Sequence, residues 1–137
     1  MAVLLTVLYV VIGISFILFL PSETTRRHDH GMTLVMSFSM AWGLGIGSVT
    51  VFWFPHFFHG VHTGMYAGAL AGGLVGWREG SLQIINGMAS GLMGGMMGAM
   101  LVYMTPEALQ GTAVFSLAVF NVFVLSLLVF LVRRHRE

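Results

Sequence analysis

Residues 60–76 read GVHTGMYAGALAGGLVG, and residues 87–100 read GMASGLMGGMMGAM. In the first stretch Gly60, Gly64, Gly68, Gly72 and Gly76 recur every fourth residue, which on an α-helix draws one slowly drifting line along a single face. The second stretch repeats the pattern with Gly87, Gly91, Gly95 and Gly98, with Gly94 beside them, and upstream Gly43 and Gly47 share the spacing. Glycine inside a helix costs about 1 kcal/mol relative to alanine. Such stripes therefore call for a compensating gain, and close backbone packing between membrane helices supplies it through dispersion and weak Cα–H···O contacts. They specify tight packing, within one protomer or between protomers. A sliding or bending gate is the functional alternative. Gly64-Met65-x-x-Gly68 and Gly87-Met88-x-x-Gly91 also form a weak internal repeat, explained either by shared packing or by a duplicated hairpin arm.

Composition outward from this core identifies the solvent. Of 137 residues 57% are hydrophobic and 8% charged, with a mean hydropathy of +0.90. That leaves too few polar groups to coat a water-soluble globule, so lipid is expected around most of the surface. Six basic residues, all arginine, oppose five acidic ones. No basic face exists to neutralise phosphates, which argues against nucleic acid as a partner. The absence of cysteine removes disulfides, thiolate metal sites and cysteine nucleophiles.

A spanning helix needs roughly 20 predominantly apolar residues. Five stretches qualify: Ala2–Leu20, Met32–Phe54, His56–Trp77, Ser81–Met104 and Ala108–Val132. The fold class expected is an all-α integral membrane protein, one domain of five transmembrane helices in a glycine-packed bundle. Ala2–Leu20 lacks a basic n-region and a small-x-small cleavage site, so it reads as a retained helix and not as a secretory signal. Pro21-Ser22, Pro55, Arg78-Glu79-Gly80 and Thr105-Pro106-Glu107 punctuate the spans. At the last of these Thr105 is suited to cap, Pro106 to open and Glu107 to favour the positive end of the final helix. With five spans Arg26, Arg27, Arg78, Arg133, Arg134 and Arg136 all fall on one side, which by the positive-inside rule is the cytoplasm. The N-terminus is then outside and the C-terminus inside.

Eleven methionines and six histidines carry whatever chemistry the chain has. Met32, Met36 and Met40 form a four-residue stripe after His28-Asp29-His30 at the inner end. Met93, Met97, Met100 and Met104 climb the outer half of the fourth span, with Met88 and Met96 nearby. His56, His59 and His62 open the third span, followed by Met65. Thioether and imidazole together suit Cu(I), a soft ion that needs no charged oxygen donor. Neutral ligands also avoid the cost of a carboxylate in hydrocarbon. The candidate metal ligands are thus His28, His30, Met32 and Met36 inside, His56, His59, His62, Met65, Met100 and Met104 outside, with Met40, Met88, Met93 and Met97 as a relay between weak, closely spaced sites. The competing account is packing: methionine fills the irregular gaps beside glycine, and the histidines sit with Trp53, Phe54, Phe57 and Phe58 in an interfacial aromatic belt.

Gly64-Met65-x-x-Gly68-x-x-x-Gly72 and Gly91-Leu92-Met93-Gly94-Gly95-Met96-Met97-Gly98-Ala99-Met100 resemble a group of Gly/Met-rich bacterial membrane proteins, some associated with cupredoxin-like domains. The likeness covers about a third of the chain, within 60–100. It implies a bacterial cytoplasmic membrane and copper handling, and carries over no catalytic residue. No cupredoxin domain is present, since there is no cysteine to ligate blue copper. The Met36-x-x-x-Met40 spacing is also similar to elements of copper-uptake trimers, although here it lies at the inner end and the helix count differs.

No phosphate loop, zinc-protease motif or Ser-His-Asp set appears, and the spans carry no carboxylate to relay protons, so an enzyme is not expected. Two functions remain open. One is Cu(I) binding or transport by a homo-oligomer, and the other is an accessory or scaffold subunit whose glycine faces dock partner helices. Axial haem ligation is disfavoured because the intramembrane histidines cluster on one helix end. Asn86 and Asn121 are expected to bond between helices.

The cysteine-free background makes the topology testable. An impermeant maleimide added to intact cells should label Glu107→Cys, and should reach Thr24→Cys only after the membrane is opened. Equal labelling of both from one side overturns the five-span layout.

Overall fold

The computed structural model describes residues 2–19, 28–54 and 56–134. They form five helices: α1 (Ala2–Phe19), α2 (His28–Trp53), α3 (Phe57–Glu79), α4 (Ser81–Tyr103) and α5 (Glu107–Arg134). No strand occurs among the described residues. Three helical stretches are long and apolar enough to cross a membrane, Gly31–Trp53, Ser81–Tyr103 and Glu107–Leu131. Pro21, Ser22, Arg26, Arg27, Pro55 and Arg136 lie outside the described residues, as do the side chains of His28, His30 and Arg133.

Helices α2, α3 and α5 extend past the apolar stretches that announce them. α2 starts one turn before Met32 and α3 runs beyond Trp77 to Glu79. Backbone hydrogen bonding does not stop where hydrocarbon does. It stops where a residue breaks the ladder, and between α3 and α4 that residue is Gly80 alone. Its φ of 130° is a conformation that side chains disfavour. The Gly80 N–H still donates to the Gly76 carbonyl at 3.1 Å, while its own carbonyl accepts from Gln83 and Ile84 at 3.0 and 3.2 Å. One residue thus ends one helix and starts the next.

The α4–α5 turn differs from expectation in one respect. The Thr105 hydroxyl does not cap α5 but donates back to the Leu101 carbonyl at 2.7 Å. The Pro106 carbonyl starts α5 by accepting from Leu109 and Gln110 at 2.8 and 3.1 Å. Threonine at the end of a helix has a nearby carbonyl four residues back, and here that local bond wins.

Helices α2, α3 and α4 form a mutually packed trio, with α5 laid against α2 and touching α4 only slightly, and α1 against α2. The trio is where the glycine stripes meet, so they pack within one protomer. Gly60, Gly64, Gly68, Gly72, Gly76, Gly87, Gly91, Gly95 and Gly98 are all buried. Gly68 faces Gly91, Gly72 faces Gly87 and Gly64 faces Gly95 along the antiparallel α3–α4 seam. Gly43 and Gly47 of α2 close the third side. A Cβ placed on Gly43 would stand 2.5 Å from the Gly91 carbonyl oxygen, and one on Gly64 would stand 2.7 Å from the Gly47 Cα. Real Cβ atoms never come so close, so the backbones themselves are in contact. Across the same core the Ser39 and Ser90 hydroxyls meet at 3.0 Å, one donating to the other.

Ordinary side chains fill the flanks of the trio. Leu34, Val35, Phe38 and Trp42 of α2 pack with Ala71 and Val75 of α3 and Leu125 of α5. A second cluster joins Tyr9, Val49, Val51, Ala99, Val102, Val114 and Ala118.

Substituting Gly68→Ala or Gly91→Ala forces backbone apart, and overpacking of this kind costs about 1–3 kcal/mol or more. Thermal or denaturant unfolding in detergent should register that loss. Gly111→Ala, whose nearest new neighbour is Phe52 at 3.9 Å, should be neutral or slightly stabilising.

Candidate functional site

The clearest chemical feature is the division of α4 into a glycine side and a sulfur side. Its glycines are consumed by α2 and α3, and the methionines between them are turned outward. Met93, Met97, Met100 and Met104 are all exposed, from 46% to 77%. They succeed one another at intervals of four, three and four residues, which keeps them on one flank. The α2 helix comes up to this flank. Gly94, flanked in sequence by Met93 and one turn before Met97, packs on the backbone of Met40, whose Cα would lie 2.9 Å from a Cβ on Gly94. Met40 itself is partly exposed, as are Met32, Met36, Met88 and Met96. Met65 is half-buried, its backbone against Gly95. No methionine side chain is fully buried among the described residues.

The histidines at the start of α3 do not converge. His56 and His59 approach each other edge to face, ring centroids 5.9 Å apart. His62 turns away, stacked beside Phe58 and tilted against Tyr66. Its Nδ1–H donates to the Phe58 carbonyl at 2.8 Å, which leaves Nε2 with the lone pair, the arrangement metal-binding histidines adopt. His59 instead lines a cavity of about 590 Å³ between α1, α2 and α3, together with Thr63. Three-residue spacing rotates successive side chains by 60° along a helix, so three histidines at that interval fan out instead of gathering. Among the described residues no group of three or more His, Asp or Glu side chains is placed to hold a metal ion.

At the opposite end His28 and His30 occupy the first turn of α2. There α3 contributes a group that the spacing of the sequence did not indicate. The Glu79 carboxylate lies against Gly31, its Oε2 2.6 Å from where a Cβ on that glycine would stand. Proximity of residues 31 and 79 comes from antiparallel packing and has no signature in sequence spacing.

A polar node ties the outer helices to the trio. The Asn121 side-chain amide donates to the Tyr9 hydroxyl at 2.9 Å and to the Ala41 carbonyl at 2.8 Å, linking α5, α1 and α2. The Tyr9 ring lies over Gly45, which has no side chain to displace it. Asn121 thus bonds between helices as expected. At Asn86 the bond found is local, its backbone carbonyl accepting from the Ser90 hydroxyl at 2.5 Å.

Comparison with protein families, with curated proteins and with solved structures finds no match to this chain. Its function is therefore read from its own groups.

Removal of the node should loosen α1 and α5 without dissolving the trio. Asn121→Leu should lower stability by about 1 kcal/mol, in the range of interhelical hydrogen bonds in membranes, and speed hydrogen exchange in α1 more than in α3. Equal exchange in both helices would show that the node does not hold α1.

Proposed function

We propose that the chain is a polytopic protein of a bacterial cytoplasmic membrane, with five spanning helices, N-terminus outside and C-terminus inside, that binds and moves a soft metal ion, Cu(I), through methionine and histidine. The observation that carries this reading is the thioether flank of α4, four exposed methionines along one line on a helix whose opposite side is locked by glycine. Sulfur displayed from a rigid backbone is a preorganised ligand ladder, and thioether sulfur selects Cu(I) over harder ions.

Packing as well as hydropathy supports the five-span arrangement. α3 is wedged between α2 and α4 along its whole glycine stripe, so it crosses wherever its two neighbours do. α1 is fixed beside α2 and α5 through Tyr9 and Asn121.

One helix offers thioethers from one direction only, and Cu(I) takes two to four ligands. A second copy therefore completes the site, α4 facing α4, with Met36 and Met40 of α2 at its edge. In such a homo-oligomer the ion passes from one thioether set to the next by ligand exchange, each site weak enough to release it. His62, with Nε2 available, and the His56–His59 pair form the outer entrance, and Met32 with the His28-Asp29-His30 turn forms the inner one. No step requires bond chemistry, so the chain is a carrier and not an enzyme.

The second reading, an accessory subunit of a larger membrane complex, must use other surfaces than first supposed. The glycine faces are already filled inside the protomer, which leaves the exposed apolar sides of α1 and α5 to meet partners.

Replacement of Met93, Met97, Met100 and Met104 together by leucine conserves volume and keeps the glycine seam. Elemental analysis with native mass measurement should find Cu(I) in a wild-type oligomer and at least about a tenfold weaker affinity in the variant, the loss of roughly 1.4 kcal/mol of ligation. Unchanged copper content in the variant, or none in wild type loaded under reducing conditions, overturns the proposal.

A further inference from the structure

We infer that the outward face of α3 thins the bilayer beside it, drawing phospholipid headgroups and their water down the outer leaflet to His62. The inference rests on the five-span reading, in which α3 crosses the membrane, and not on the metal. Away from the glycine seam α3 exposes Leu70, Leu74 and Trp77, at 68%, 62% and 78%. Towards the outer end come Tyr66, then Thr63, His62 and His59, all exposed. Fifteen residues separate His62 from Trp77, which at 1.5 Å each is about 22 Å. The hydrocarbon core of a typical bilayer is about 30 Å thick. With Trp77 and Arg78 at the inner interface, where such side chains belong, His62 in a flat bilayer lies about 8 Å inside the outer hydrocarbon boundary. Any tilt of the helix takes it deeper.

Hydrogen bonds within the helix do not remove the need for water. The His62 Nδ1–H donates to the Phe58 carbonyl at 2.8 Å, and the Thr63 hydroxyl to the His59 carbonyl at 2.7 Å. Both acceptors lie one turn nearer the outer end, so these side chains lean towards water. The lone pair of His62 Nε2 is left over, and an exposed polar group without a partner is costly in hydrocarbon. A bilayer meets a short apolar face by thinning, at a modest cost for each ångström of mismatch.

The opposite side of the molecule makes the contrast. α5 exposes Leu109, Phe115, Val119, Phe123, Leu127 and Leu131. Leu109 and Leu131 are twenty-two residues apart, about 33 Å, enough for a full hydrocarbon core. Relative heights follow from α2, which meets Asn121 of α5 at Ala41 and Gly68 of α3 at Gly43. Leu109 stands about 18 Å outward of Asn121, whereas His62 stands about 9 Å outward of Gly68. Allowing for the two residues between Ala41 and Gly43, the apolar face of α5 reaches about one turn further out than His62. The apolar girdle is therefore lopsided, deep at α5 and shallow at α3.

Spin labels on the cysteine-free chain read the local depth. Metal-free protein is reconstituted in dioleoylphosphatidylcholine vesicles with one nitroxide, at Tyr66→Cys or Leu70→Cys on α3 or at Phe115→Cys on α5, all exposed positions. Collisions with oxygen, which concentrates in hydrocarbon, are compared with collisions with a neutral nickel chelate, which stays in water. Phe115 stands at least as far out as Tyr66, so a flat bilayer gives it the greater nickel exposure. Thinning at α3 reverses the order. The nickel-to-oxygen ratio should be several-fold higher at Tyr66→Cys than at Phe115→Cys, and the excess should disappear when His59→Leu, His62→Leu and Thr63→Val are combined. Leu70→Cys should meet oxygen alone. Nickel exposure at Phe115→Cys equal to or above that at Tyr66→Cys overturns the inference and leaves the five-span reading standing. Exclusion of both reagents at Tyr66→Cys places a second copy on this face and also overturns it. Nickel access at Leu70→Cys removes α3 from the bilayer, and the five-span reading then falls with the inference.

Discussion

Backbone lying directly on backbone, at Gly68 and Gly91, Gly72 and Gly87, and Gly64, Gly47 and Gly95, is the contact on which the other features of this molecule depend. In water a helix trio would be held by burying large apolar side chains. In lipid that drive is absent, because a leucine side chain is as well solvated by hydrocarbon as by its neighbours. What remains is the number of atoms that can touch, and glycine maximises it by removing everything between two main chains. The trio is consequently narrow along the glycine seam, and the large side chains of α4 are displaced to the outside. The methionine flank of α4 is a by-product of this displacement as much as a device: a helix that spends one side on glycine has only the other side for sulfur.

This inversion explains how much of the fold was legible in advance. Helix limits followed from apolar runs and their punctuation, and the glycine stripes identified the buried face of α3 and α4 correctly. Their partners were not legible. A stripe of Gly60, Gly64 and Gly68 says which side of a helix approaches another, but the same spacing serves a neighbour in the chain or a second protomer. Hydropathy could not arbitrate, since in a membrane both the buried and the lipid-facing sides are apolar. Only small residues mark the inside, and the contact of Gly43 with Gly68 and Gly91 emerges from the three-dimensional arrangement alone.

The candidate site was legible residue by residue and not as an arrangement. Methionine spacing on α4 predicted a line, and the line is there, facing outward. Histidine spacing on α3 suggested a cluster, and the helix instead distributes it: His59 towards α1 and α2, His62 towards Tyr66. Three-residue intervals lag a full turn by one sixth of the circle, so repeated use spreads side chains around the axis. The Tyr9–Asn121 bond joins residues 112 positions apart, and the approach of Glu79 to Gly31 arises from a hairpin fold-back. Neither has a local signature.

The connection at Gly80 has a consequence for how such a protein is made. A single non-helical residue between two long antiparallel helices leaves no slack, so neither can slide past the other by as much as one turn without breaking the seam. In a bilayer the two would enter together, as one hairpin. α3, with two histidines and an arginine among its residues and no stretch apolar enough to qualify by itself as a span among the described helices, would then be drawn in by the company of α4. Biogenesis of this bundle would be decided in pairs, with the hairpin and not the individual helix as the unit that the insertion machinery releases into lipid.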